Sequence, residues 1–249
     1  MAATRLAEDV WLVGTSMPGP AFTDDHDGNQ YLIWDDRGGV LIDSGGGRGS
    51  DRWLGNVAEI VDPKYLAGVL ITHYHADHAG GASAARAAGL SVFASPVAVE
   101  AITRGDQEVT QLAAARRAGV YPSDFVVPPA DGLTPIGSGR TTYGSLTVQT
   151  IEAPGHCDGH LVFALHRPTG LALFTGDTVF PGGRVSIQAI PDCRLDRYAQ
   201  TIRQLAELPI AALYPGHGPA DPDARSARAG VRQAAEIFAT LQPPPNFAS

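Results

Sequence analysis

Residues 68–78 read Gly68-Val69-Leu70-Ile71-Thr72-His73-Tyr74-His75-Ala76-Asp77-His78, and this stretch decides how the rest of the chain is read. Val69, Leu70 and Ile71 are apolar, and Val69 and Ile71 are β-branched, the character of a short buried strand. Three imidazoles and one carboxylate then follow within six residues, using three of the chain's eight histidines. Clustered imidazoles make poor hydrogen-bond partners for one another, so an apolar core suits them badly. Imidazole nitrogen and carboxylate oxygen are donors that zinc and similar divalent ions choose. One bound metal centre satisfies all four groups at once.

Working outward, other polar groups also sit where apolar runs stop. The run Val40-Leu41-Ile42 stops at Asp43, the alternating segment 146–151 leads to Ala153-Pro154-Gly155-His156, and 171–174 leads to Thr175-Gly176-Asp177. The run 210–214 leads to Pro215-Gly216-His217. Two hairpins are expected: 31–34 with 40–42 across Asp35-Asp36-Arg37-Gly38-Gly39, and 161–165 with 171–174 across His166-Arg167-Pro168-Thr169-Gly170. After the first, Ser50 is placed to cap a helix carrying Trp53, Leu54, Val57 and Ile60 at helical spacing. After the second, Tyr198, Ile202 and Leu205 mark another helix, stopped by Pro209. An alanine-rich helix follows the histidine window as far as Gly89.

The two halves thus repeat one plan: hairpin, acidic residue at a strand end, helix, short strand, histidine at its tip. Two such β/α units, each with helices on one face, bury their bare sheet faces against each other. The expected fold is α/β, a four-layer α/β/β/α sandwich built from two similar halves.

Composition sets the frame. A chain of 249 residues, 44% hydrophobic and 18% charged, suits one domain spanning residues 1–249. A net charge of −8, with Lys64 as the single lysine, argues against nucleic acid or an anionic membrane as partner. Residues 1–10 lack the apolar core of a signal peptide, and no apolar run approaches the roughly 20 residues of a membrane span. Cys157 and Cys193 are too few for a disulfide framework. The expectation is a cytoplasmic protein.

The ordered set His73-x-His75-x-Asp77-His78, His156, Asp177 and His217 resembles the metallo-β-lactamase fold family. So do Leu41-Ile42-Asp43-Ser44-Gly45, Thr175-Gly176-Asp177-Thr178 and Tyr214-Pro215-Gly216-His217-Gly218. Carried over residue by residue, the resemblance implies two divalent metal ions, zinc first, with iron or manganese as alternatives. His73, His75 and His156 hold one ion; Asp77, His78 and His217 hold the other; Asp177 bridges them through one carboxylate oxygen. Such a centre keeps open positions for a bridging hydroxide and a substrate oxygen, because bound metal lowers the pKa of water toward roughly 7. The resemblance gives Asp77 the catalytic role of orienting the nucleophile and passing a proton to the leaving group.

Asp43 matches a family position that is not a ligand and orients a ligating imidazole. His160 belongs to the family's paired-histidine segment and supports the ligands without joining them. Blander roles fit His26 and His166, a solvated loop and an exposed turn. Cys157 reads as a small buried residue and Arg116-Arg117 as a solvated helix face.

Among branches of the family, the segments around His156 and Asp177 look most like the glyoxalase-II-like one, which cleaves thioesters and related esters. Only 32 residues follow His217, so the added helical domain that grips glutathione is not expected. The expected substrate is a small-molecule ester, thioester or lactone. The alternatives are a β-lactam hydrolase, a mononuclear iron oxidoreductase of the persulfide-dioxygenase kind, and a non-catalytic metal-binding homologue. The insert 106–129, with Val109, Leu112, Ala113 and Arg116 at helical spacing, is expected to be a lid or a homodimer surface.

Overall fold

The computed structural model describes residues 3–247; residues 1, 2, 248 and 249 of the expected 1–249 domain lie outside the described residues. The chain divides into two compact units, Met1–Ile136 with Tyr143–Leu146, and Gly137–Thr142 with Thr147–Ser249.

The first unit is built on a seven-stranded sheet. Its elements are β1 (Thr4–Ala7), β2 (Val10–Gly14), β3 (Gln30–Asp35), β4 (Gly38–Ile42), α1 (Ser50–Ala58), β5 (Leu66–Leu70), α2 (Ala76–Ala79), α3 (Ala82–Ala87), β6 (Val92–Ala94), α4 (Pro96–Arg104), α5 (Leu112–Arg117) and β7 (Thr134–Pro135). The strands lie in sequence order from β1 to β7, antiparallel as far as β4 and parallel from β4 onward. In the parallel pair, Ile42 is level with Leu70, so both strands end together. Asp43 and the Thr72-His73 step therefore emerge side by side, and Asp43 N donates to Leu70 O at 2.9 Å.

The second unit holds a five-stranded sheet in the order β12-β11-β10-β9-β8. Its elements are β8 (Gly139–Tyr143), β9 (Leu146–Glu152), β10 (Leu161–Arg167), β11 (Gly170–Gly176), α6 (Leu195–Ala206), β12 (Ile210–Pro215) and α7 (Ala224–Ala239). One face packs on α6 and α7 through Val162, Ala164, Leu173, Ile202, Leu205, Val231 and Ala234. The alternate residues Leu161, Phe163, Leu165 and Phe174 are buried as well. Each fully buried Leu, Ile or Phe contributes about 1.5–3 kcal/mol, so both faces of this sheet stabilise it. The parallel pair repeats the earlier device: Gly176 is level with Pro215, and Gly216 N donates to Gly176 O at 2.8 Å.

Several sequence expectations need correction. Ser50 is the first residue inside α1; the cap position belongs to Gly49, with no side-chain cap bond. The alanine-rich helix is split into α2 and α3 at Gly80-Gly81. The break lets Gly81 N donate to Gly45 O at 3.1 Å while Ser44 N donates to His78 O at 2.8 Å. His166 lies in β10, not in the turn, and bonds Gln149 across to β9 at 3.2 Å.

Helix α7 reaches the 180–183 turn through Gly230. A Cβ there would lie 2.8 Å from Gly183 N and 3.2 Å from Gly182 N. Alanine is favoured over glycine in a helix by about 1 kcal/mol, but overpacking against backbone costs about 1–3 kcal/mol. Gly230→Ala should therefore lower the urea midpoint, with a net loss of up to about 2 kcal/mol. An unchanged or raised midpoint would show that the contact is slack.

Candidate metal centre

In the first unit a single carboxylate organises the histidine window. Asp43 is buried and sits at φ +60, a left-handed conformation that costs a non-glycine residue energy but that Asp tolerates better than most. Its Oδ1 accepts from Thr72 N at 2.7 Å, and its Oδ2 accepts from Thr72 Oγ1 at 2.8 Å. The same Oδ2 accepts from Nδ1 of His78 at 2.9 Å. Since the Thr72 hydroxyl proton goes to Asp43, Thr72 Oγ1 accepts from His73 Nδ1 at 3.0 Å. Both imidazoles thus carry their proton on Nδ1, which puts the lone pair on Nε2, the atom that could bind a metal. The His73 ring stands 4.6 Å from that of His75 and 4.3 Å from that of His78, centroid to centroid. Asp77 opens α2 beside them, its Oδ2 3.8 Å from His78 Nε2.

The loop 23–30 closes against this window. Gly28 N donates to Asp77 O at 2.9 Å. Asp27 staples the loop, accepting from Thr23 Oγ1 at 2.5 Å and from Gly46 N at 2.6 Å. Burial pushes the Asp27 carboxyl above its usual range, partly offset by those bonds. The insert packs here too: Phe125 is buried against Ala76, between His75 and Asp77 in sequence, together with Leu112 and Val127. Tyr121 stacks on Phe125 at 4.6 Å, and His26 meets both rings edge-on. His26 is therefore part of an aromatic cluster, not a solvated loop residue.

In the second unit the parallel strand ends bring Asp177 and His217 together, with Oδ1 and Nε2 3.5 Å apart. The other carboxylate oxygen of Asp177 faces His156 Nε2 at 3.8 Å. His156 Nδ1 donates to Ser186 O at 2.8 Å, again fixing the Nε2 lone pair. His160 is fully buried; its Nε2 accepts from Asp177 N at 3.2 Å and its Nδ1 donates to Thr178 Oγ1 at 3.2 Å. It holds the Asp177 turn. Cys157 is buried, and Cys193 is half-buried, burial raising its thiol above its usual range.

The donor set fits a divalent ion. Two ligands each about 2.0–2.2 Å from a tetrahedral zinc stand about 3.4 Å apart, close to the 3.5–3.8 Å seen for the His78–Asp77, His156–Asp177 and His217–Asp177 pairs.

Sequence reasoning did not assign a site role to Thr72, Ser186 and Tyr198, which bond to the candidate ligands or to the turns carrying them. Tyr198 is fully buried on α6 and donates to Asp177 O and Thr178 O; burial, with the Asp177 charge nearby, pushes its phenol well above 10. Nor did it find Phe247, which stacks on Phe180 at 4.2 Å and lies 6.2 Å from His217, centroid to centroid.

The family model described as the metallo-beta-lactamase superfamily matches residues 23–217. The chain belongs to that superfamily. Among curated proteins it is 29% identical over 193 residues to a lactamase-like protein nscB of Trichophyton rubrum, covering 76% of this chain and 48% of the relative. It is 27% identical over 203 residues to an atrochrysone carboxyl ACP thioesterase of Aspergillus fumigatus, covering 80% and 39%. The chain thus spans about half or less of the length of the curated relatives it matches. Among solved structures, a B3 metallo-beta-lactamase with an active-site glutamic acid aligns with TM-score 0.72 at 20% identity, covering 96% of this chain and 90% of the other. A metallo-beta-lactamase family protein of Thermus thermophilus aligns with TM-score 0.69 at 21% identity, covering 95% and 81%. These likenesses give the fold: the mixed α/β chain expected from the sequence has the metallo-beta-lactamase fold.

Asp43→Asn keeps the size of the side chain but turns an N–H₂ donor toward either the Thr72 backbone N–H or the His78 Nδ1 proton. Zinc affinity should fall by roughly 10–100-fold, the usual cost of losing a group that orients a ligating histidine. Competition against a chromogenic chelator measures it, and an unchanged affinity would confine Asp43 to a folding role.

Proposed function

We propose that this chain is a metal-dependent hydrolase whose two donor sets share a pair of divalent ions, most simply zinc. The observation that carries this reading is the Asp43–Thr72 network, which spends a strained buried carboxylate on aiming two neighbouring imidazoles. A closed structural site has little need of such a spread of donors, whereas a two-ion site uses every one. His73, His75 and His156 would hold the first ion, Asp77, His78 and His217 the second, and Asp177 would serve both. Bound ions of this kind lower the pKa of water toward roughly 7 and polarise a carbonyl oxygen.

The protein's own residues supply the rest. Asp77 takes up the proton released as the carbonyl is attacked and delivers it to the leaving group. How much this matters depends on that group: a thiolate, with a parent pKa near roughly 8.5, departs without help, whereas an alkoxide needs the proton. The buried Phe125 fixes the insert 106–129 to its own unit, and the half-buried Tyr121 and His26 offer an aromatic face to an acyl chain. This arrangement favours the lid over the dimer surface. The substrate class is a small thioester or a related ester or lactone, the glyoxalase-II-like choice within the superfamily. Relatives named thioesterases, of Aspergillus fumigatus and Emericella nidulans, support it.

Zinc-loaded protein should hydrolyse the acetyl thioester of N-acetylcysteamine with kcat/KM at least tenfold above that for a chromogenic cephalosporin, lose the activity to a chelator, and regain it with zinc. Asp77→Asn, with metal content matched, should cut turnover of an alkyl ester far more than that of the thioester. Protein that holds two zinc ions and leaves every carbonyl substrate intact would refute the reading. So would one bound iron with oxygen uptake on a persulfide.

A further inference from the structure

Helical spacing makes α6 a core helix and Tyr198 one of its apolar markers. The Tyr198 hydroxyl does something more particular. The oxygen accepts from Ser186 N at 3.1 Å, and the proton is shared between Asp177 O at 2.8 Å and Thr178 O at 2.6 Å. Ser186 in turn receives the Nδ1 proton of His156 on its carbonyl at 2.8 Å. The Tyr198 side chain also lies hard against the residue before His156. A Cβ at Gly155, which has φ +147, would come within 2.5 Å of Tyr198 Cα and 2.8 Å of its Cβ and Cγ. Arg194 N, one turn earlier, donates to Gly155 O at 2.8 Å and ties the start of α6 to the same turn.

One phenol therefore meets the segment that carries Asp177 and the backbone N–H of the residue whose carbonyl aims His156. His217 is placed by other means: the register of β11 with β12, and the Phe247 ring beside it. A tyrosine needed only for packing would require one partner for its hydroxyl. This one has three, all on the two loops that carry or aim ligands.

We infer that Tyr198 is a positioning residue that sets His156 and Asp177 relative to each other, and so governs the affinity of the ion that His156 binds more than that of the ion of His217, which shares only Asp177 with it. The inference rests on the two-ion reading above. Removing the hydroxyl leaves two carbonyls and one N–H in the core without their partner, and the loops shift to find others.

Stepwise zinc binding to the full chain, followed by calorimetry and by the visible spectrum of the cobalt-substituted protein, tests this. The step abolished in His156→Ala identifies the relevant ion. Tyr198→Phe should weaken that step by roughly 10–100-fold and change the cobalt spectrum, with the other step, which shares only Asp177, weakened clearly less. Equal weakening of both steps, or of neither, overturns the inference. If Tyr198→Phe does not fold, 4-aminophenylalanine at position 198 still donates to both carbonyls but accepts poorly from Ser186 N. A selective loss at the same step supports the inference, and unchanged binding overturns it. Wild-type protein that takes up a single zinc contradicts the two-ion reading instead, and the Tyr198 effect is then read on that one ion.

Discussion

Asp43 is the group on which the first unit's chemistry hangs. Withdrawing a carboxylate from water is expensive unless hydrogen bonds replace its hydration. Here a backbone N–H, a hydroxyl and an imidazole N–H do so. A second imidazole is added through Thr72, so one anion orients both His73 and His78. The backbone strain at φ +60 is a further cost, and it persists because β4 and β5 end level and leave the chain no other course. Strain held in place by surrounding structure is common where function needs a fixed geometry. The fold supplies that rigidity, and the histidines use it.

The same plan is run twice with different outcomes. In each unit an antiparallel hairpin, an acidic strand end, a helix and a parallel strand tipped by histidine follow in order. Asp43 and Asp177 occupy equivalent places. Asp43 faces the Nδ1 side of its neighbouring histidines and orients them. Asp177 faces the Nε2 atoms of His156 and His217, where a ligand belongs. The second unit therefore uses other groups: Ser186 O orients the His156 imidazole, and His160 and Tyr198 hold the Asp177 turn.

This difference also marks what sequence reading reached. The candidate ligand positions were readable because they follow apolar runs, and an imidazole or carboxylate at a strand end has few structural uses. Both hairpins and helix α6 followed from periodicity. Strands β1, β7 and β8 did not: they are short or polar, with Gly139-Arg140-Thr141-Thr142 exposed, and carry little alternation. The Gly80-Gly81 break was hidden by the helix propensity of the surrounding alanines, which the contact with residues 44–46 overrides. Tyr198 was missed because helical spacing already accounted for it. Ser186 was missed because it acts through its carbonyl, which every residue has. His26 looked solvated because the aromatic rings that hold it, Tyr121 and Phe125, lie about a hundred residues away.

If these residues hold two metal ions sharing one carboxylate, anomalous diffraction at the zinc edge from zinc-loaded crystals shows it most directly. Two peaks are expected roughly 3.5–4 Å apart, one bonded to His73 and His156, the other to His78 and His217, with the Asp177 carboxylate between them. A single peak, or a pair bonded elsewhere, would contradict it.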